Sequence, residues 1–120
     1  MERKEYKLNR EELEDIAGEF QIEGMKLSER YFSKRSFLKK FRKETERVLA
    51  MRYFSYAGKL YSLSENDFQR KICEKQLKNL SKNSEELDSF YLDAHTTIHR
   101  GMEYFKNIIE KMQNVQTRAT

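Results

Sequence analysis

The chain has no proline, no tryptophan and only one cysteine in 120 residues. The absence of proline removes the residue that most often breaks a helix. A single cysteine excludes an intrachain disulfide and a cysteine-based zinc site, and it fits a reducing compartment. Because no run of about 18 apolar residues occurs, we expect no membrane-spanning helix. The charged start MERKEYKLNREELED is unlike a secretory signal peptide, so we expect a cytoplasmic protein, or one exported together with a partner.

Charged residues make up 37% of the chain and hydrophobic residues only 38%. This balance is typical of elongated helical proteins, in which each helix buries a single apolar stripe. The formal net charge of +4 is a mild excess that does not by itself indicate nucleic-acid binding.

Two sequence patterns indicate where helices begin. Asn9 can cap a helix whose third residue is Glu12, and Ser64 can cap a second helix with Asp67 in the same place. Gly58, just upstream of the second cap, is a plausible end for the first helix. These signals predict a helix, a short loop and a second helix.

Apolar residues at heptad spacing run along both expected helices. The second series keeps its phase through Lys82-Asn83-Ser84, so we treat that part as one helix. Folding the chain at Ser64 places Gly24 opposite Phe105 and Thr45 opposite Ser84, which favours close packing and a fixed register. The sequence therefore predicts one all-α domain, residues 1–120, built as a long antiparallel helical hairpin or two-helix coiled coil: helix 9–58, bend 59–64 and helix 65–116.

A hairpin of this kind has one seam, and the chain has more apolar residues than the seam uses. Exposed apolar surface of that extent usually marks an interface. We therefore expect the hairpin to complete a bundle with a partner, either a second copy or another helical protein. The predicted partner-binding residues are Ile22, Met25, Phe32, Tyr53, Phe54, Tyr56, Gly58 and Tyr61.

Residues suited to catalysis or metal binding are few. His95, His99 and Glu103 follow each other at four-residue steps and share a helix face, but no second group of ligands accompanies them. Cys73 lies on the predicted seam, where a buried thiol acts as a small apolar filler. We therefore expect no catalytic, cofactor or metal site, and no enzymatic activity.

Basic residues outnumber acidic ones between positions 26 and 52, with aromatic residues among them. Such a face can bind nucleic acid, although a charge run on a long helix is usually a solvated face. An acidic partner protein, or the acidic N-terminal segment of a second copy, explains the run equally well. The alternative function is therefore a small nucleic-acid-binding or phage-type regulatory protein, using Lys34, Lys39, Lys40, Arg42 and Lys43.

In length, hairpin pattern and Tyr56-Ala57-Gly58 near the bend, the chain resembles the WXG100 type of small helical hairpin, with Tyr in place of Trp. It also resembles the small hairpins that accompany LXG-domain toxins. His99-x-x-x-Glu103 is a loose counterpart of the export patterns of this group. The resemblance implies a role in type VII secretion. The implied function is a non-enzymatic adaptor or targeting chaperone that binds the helical N-terminal region of a secreted effector.

Overall fold

The computed structural model describes residues 9–33 and 40–100, which form four α-helices and, within these ranges, no strand. Helix α1 spans Arg10–Phe32, α2 spans Lys40–Leu63, α3 spans Asp67–Leu80 and α4 spans Ser84–Arg100. The all-α prediction is confirmed, whereas the two-helix hairpin is wrong.

The start of α1 follows the predicted capping box. The Asn9 carboxamide oxygen accepts a hydrogen bond from the Glu12 backbone N–H at 2.9 Å, and its NH₂ group donates to the Glu12 carboxylate at 2.8 Å. The second predicted cap is displaced, because Asn66 and not Ser64 accepts from the backbone of Gln69. Ser64 instead ends α2, with its backbone N–H bonded to the Leu60 carbonyl.

Gly58 does not end a helix. Helix α2 continues through it to Leu63, and the sharp turn comes later, where Glu65 has a φ of 61°. A Cβ built on Gly58 would lie 3.5 Å from the Cβ of Cys73 on α3. The missing side chain therefore serves the close approach of α2 and α3, so the predicted end at 58 and bend at 59–64 are wrong.

Helix α2 is the centre of the fold and contacts each of the other three helices. Gly24 of α1 lies against Phe54 and Gly18 lies near Tyr61, so α1 runs antiparallel to α2. Phe54 fits there because Gly24 has no side chain: an added Cβ would stand only 3.2 Å from the ring.

The other two helices pack along α2 in opposite directions. The Arg47 side chain reaches the Leu80 carbonyl at the end of α3, while Gly58 meets Cys73 in the middle of α3, so α3 is antiparallel to α2. Arg47 also bonds Glu86, near the start of α4. Further along, Tyr56 bonds Asp93 on α4, so α4 runs parallel to α2. The chain therefore reverses between α3 and α4.

These reversals overturn the predicted continuous helices 9–58 and 65–116. The first is interrupted after Phe32, where the C-cap Ser33 has extended backbone, and the second is interrupted after Leu80. The physical reason is burial, since a straight hairpin would leave the aromatic residues of α2 uncovered. Folding α1 and α4 back along α2 encloses them in a core formed by Leu13, Ile16, Ala17, Ala50, Met51, Phe54, Ala57, Leu60, Tyr61, Cys73, Leu77, Leu80 and Ile98.

Candidate interaction surfaces

The outer face of α1 carries large apolar side chains in solvent. Ile22 is 49% exposed, Met25 is 48% exposed and Phe32 is 56% exposed. They lie outside the side of α1 that packs on α2, which is marked by the buried residues Ala17 and Gly24. The spacing of 22, 25 and 32 keeps all three on one helix face. This part of the predicted partner-binding set is therefore placed on the surface.

Two other predicted partner-binding residues belong to the core. Phe54 is 1% exposed and Tyr61 is 5% exposed, because α1 of the same chain covers them. The Tyr61 hydroxyl donates to the Gln21 side-chain oxygen at 2.8 Å, and Gln21 donates onward to Gln69 of α3 at 3.1 Å. Burial raises the pKa of Tyr61 to about 12. In this fold neither side chain is available to a partner, and the prediction for them is corrected.

The remaining predicted residues on α2 are half-buried. Tyr53 and Tyr56 both contact Phe20 of α1: the Phe20 ring centroid lies 5.8 Å from that of Tyr53 and 5.7 Å from that of Tyr56. The Tyr56 hydroxyl also donates to Asp93 of α4 at 3.2 Å, and burial raises its pKa. Gly58 lies against α3. These residues join helices of this chain, and the Tyr56-Ala57-Gly58 segment lies inside α2 rather than at a bend.

A buried arginine was missed by sequence reasoning, which counted it in the basic run. Arg47 is 1% exposed, and its guanidinium bonds Glu86 at 2.6 and 2.9 Å and Glu44 at 2.6 and 3.1 Å. It also donates to the Leu80 carbonyl at 2.9 Å. These bonds raise the pKa of Arg47 and lower that of Glu86. Together with a bond from Lys82, they lower the pKa of Glu44 to about 2. Arg47 thereby ties α2 to the α3–α4 junction, and no pattern in the sequence separates it from its solvated neighbours.

The residues considered for catalysis or metal binding do not form a complete site within the described ranges. The rings of His95 and His99 are 4.3 Å apart between centroids on exposed positions of α4, and Glu103 lies outside the described residues. Among residues 9–33 and 40–100 no group of three or more metal-binding side chains occurs. Cys73 is buried, which raises the pKa of its thiol to about 12. A thiol of that pKa is not a thiolate nucleophile at neutral pH.

A cavity of about 220 Å³ lies between α2, α3 and α4. Its apolar wall includes Leu77 and Ala94, and some of the polar groups at its edge are bonded within the chain. Arg70 is held by Glu74 at 2.7 Å, and the Ser55 hydroxyl donates to a carbonyl of its own helix.

The predicted nucleic-acid face is only partly described. Lys34 and Lys39 lie outside the described residues, Arg42 is exposed and Lys43 is half-buried. A second basic face, not singled out from the sequence, lies on α3. The signal for it is a four-three spacing of the exposed lysines Lys71, Lys75 and Lys78 on the side of α3 away from the core, followed by Lys82 just beyond the end of the helix.

No helix within the described ranges is both long and apolar enough to cross a membrane. Comparison with known proteins gives no match: no family model, no curated protein and no solved structure matches the chain.

Proposed function

We propose that this protein is a non-enzymatic helical adaptor that docks the outer face of α1 against a helix of another protein. The observation that carries the proposal is the exposure of Ile22, Met25 and Phe32 on one face while neighbouring residues of α1 are fully buried. Apolar anchors of this kind supply most of the binding energy of an interface. The charges around them tune specificity and association rate.

For the partner we propose the helical N-terminal region of a type VII secreted effector, with the adaptor acting as its targeting chaperone. This step depends on the resemblance to WXG100-type and LXG-associated hairpins. The displacement of Tyr56-Ala57-Gly58 from the bend into α2 removes its motif-level support. What supports it is the size of the chain, its all-helical fold and an exposed helix face suited to a helical partner.

The test is affinity capture from cells that express the tagged chain in its native setting, with bound proteins identified by mass spectrometry. Ile22→Lys and Met25→Lys should abolish recovery of a specific partner. Leu92→Lys is the matched control, because Leu92 is 67% exposed and belongs to α4 rather than to α1. Equal recovery of the partner by all three variants would contradict the proposal.

The lysine face of α3 favours a second candidate, binding to the phosphate backbone of a nucleic acid. Lys71, Lys75 and Lys78 are exposed and have no ion pair among the described residues, whereas Lys82 pairs with Glu44 at 3.1 Å. Phosphate contacts weaken steeply as salt rises, whereas apolar docking changes little. A salt titration of the captured complex therefore separates the two functions.

A further inference from the structure

We propose that the outer face of α1 pairs with the same face of a second copy, with the two α1 helices antiparallel. The inference rests on the part of the proposed function that makes this face a docking surface, and it adds a second copy of the chain as a further occupant, which competes with the other protein for the same face.

The residues at heptad spacing on the outer face of α1 form a stripe, and their spacing is the same in both directions along the helix. The exposed members of this stripe are Asp15, Ile22, Met25, Glu29 and Phe32. Position 18 of the same series is the half-buried Gly18, which lies beside Tyr61 of α2. The midpoint of this series falls between Ile22 and Met25. An antiparallel second copy centred there packs Ile22 against the second copy's Met25, and symmetry forms the same contact twice. A two-fold interface requires this kind of self-complementarity.

Charges beside the stripe match the same arrangement. Glu19 and Lys26 lie on one flank, one heptad apart, and both are exposed. With the stripes centred as described, Glu19 of each copy faces Lys26 of the other, which gives two opposite-charge pairs. Within the chain, Lys26 has only an exposed ion pair with Glu23 at 3.3 Å, and such pairs are weak.

The same two charges disfavour the alternatives. Sliding one helix by a heptad sets either Lys26 against Lys26 or Glu19 against Glu19. A parallel pair is worse, because it stacks Glu29 on Glu29 and Asp15 on Asp15 within the stripe itself. Like charges at facing positions of paired helices select against the wrong register and orientation.

The size of the face indicates a weak dimer. A 23-residue helix is about 35 Å long, and one such face buries less than the roughly 800 Å² per partner of a stable interface. Association should therefore occur in the micromolar range and depend on concentration. In the dimer, Phe32 lies at the end of the stripe and faces Asp15 of the second copy. It should therefore contribute less to the binding energy than Met25.

The experiment is sedimentation equilibrium of the purified chain from low micromolar to near-millimolar concentration. We expect a monomer–dimer equilibrium. Glu19→Lys and Lys26→Glu should each weaken it about tenfold or more, because each places like charges at two sites. The double variant Glu19→Lys/Lys26→Glu should restore the wild-type constant. Met25→Gln should abolish association with an unchanged circular dichroism spectrum, whereas Phe32→Ala should weaken it less.

A monomer at every concentration, or a double variant no better than the singles, would overturn this pairing. The proposed function survives that result if Ile22→Lys and Met25→Lys still prevent capture of another protein. The opposite result is also informative. If the chain dimerises with these charge effects and affinity capture recovers no other protein, the pairing is supported and the adaptor function is refuted.

Discussion

Replacing Arg47 tests the fold at the point where the chain reverses between α3 and α4. The guanidinium is almost fully buried and makes paired bonds to the carboxylates of Glu44 and Glu86, besides its bond to the Leu80 carbonyl. In the straight hairpin that the sequence predicts, position 47 is an ordinary charged position beside the seam. The two folds therefore give different expectations for one substitution.

The magnitude follows from what Arg47→Ala leaves behind. Glu86 is 22% exposed and loses its cation, keeping only the Lys82 backbone N–H at 2.9 Å. The Leu80 carbonyl loses its bond to Arg47, and a cavity opens beside Met51. Breaking a buried ion pair costs about 3 to 5 kcal/mol. Because Glu44 is 44% exposed and can be hydrated, we expect the lower end, about 3 kcal/mol, or a fall in Tm of roughly 10 to 15 °C.

The assay is urea unfolding followed by circular dichroism, with Arg52→Ala as the matched control, because Arg52 is exposed on the same helix. Arg47→Lys should fall between wild type and Arg47→Ala, since an ammonium group cannot bond both carboxylates in paired geometry. Arg47→Met with Glu86→Leu should recover most of the loss, because an apolar pair can replace a buried ion pair.

A change within about 0.5 kcal/mol for Arg47→Ala, equal to that of Arg52→Ala, is what a solvated arginine gives. That result would refute the buried network and, with it, the reversal at residues 81–83.

Three further predictions concern particular side chains. Gly18→Ala should raise the free energy of unfolding in urea by up to about 1 kcal/mol, because the added Cβ makes an ordinary contact at 3.8 Å. Gly24→Ala should raise it less, because the added Cβ lies only 3.2 Å from the Phe54 ring. Cys73 should resist alkylation at pH 8 and react at once in denaturant, because burial raises its pKa; rapid alkylation in the native state would contradict its burial. The pKa values of Glu44 and Glu86 are depressed in the folded state, so the stability they contribute is present above about pH 4.5 and is lost as the pH falls toward about 2. Acid titration of Arg47→Met should show a smaller loss, because only Lys82 then bonds these carboxylates.

Local sequence signals predicted the fold where local interactions decide it. The Asn9 cap, the all-α class and the antiparallel pairing of the two helices that flank the turn near Ser64 all follow from residues close in sequence. The second cap was misplaced by two residues, because both Ser64 and Asn66 have side chains that can cap.

The reversals between helices carry no comparable signal. Neither the segment after Phe32 nor residues 81–83 contains proline or glycine, and heptad spacing continues in phase through the second break. A straight helix and a folded-back helix therefore present the same local pattern. A long-range contact, the bond from Arg47 to the Leu80 carbonyl, satisfies the end of α3 and distinguishes the two.

The composition of α2 offered a signal of a different kind. A helix in a hairpin buries one stripe, whereas a helix that is apolar on several sides is buried on several sides. Between residues 48 and 61, α2 is apolar on most of its circumference, and the structure packs three helices on it. The sequence pattern predicts that an outside partner covers the excess apolar residues. For Phe54 and Tyr61, the structure shows instead that the covering helix is α1 of the same chain. Without Phe54 and Tyr61, the predicted docking surface is reduced to Ile22, Met25 and Phe32. Because these three side chains are exposed, single substitutions can test the surface without disturbing the core.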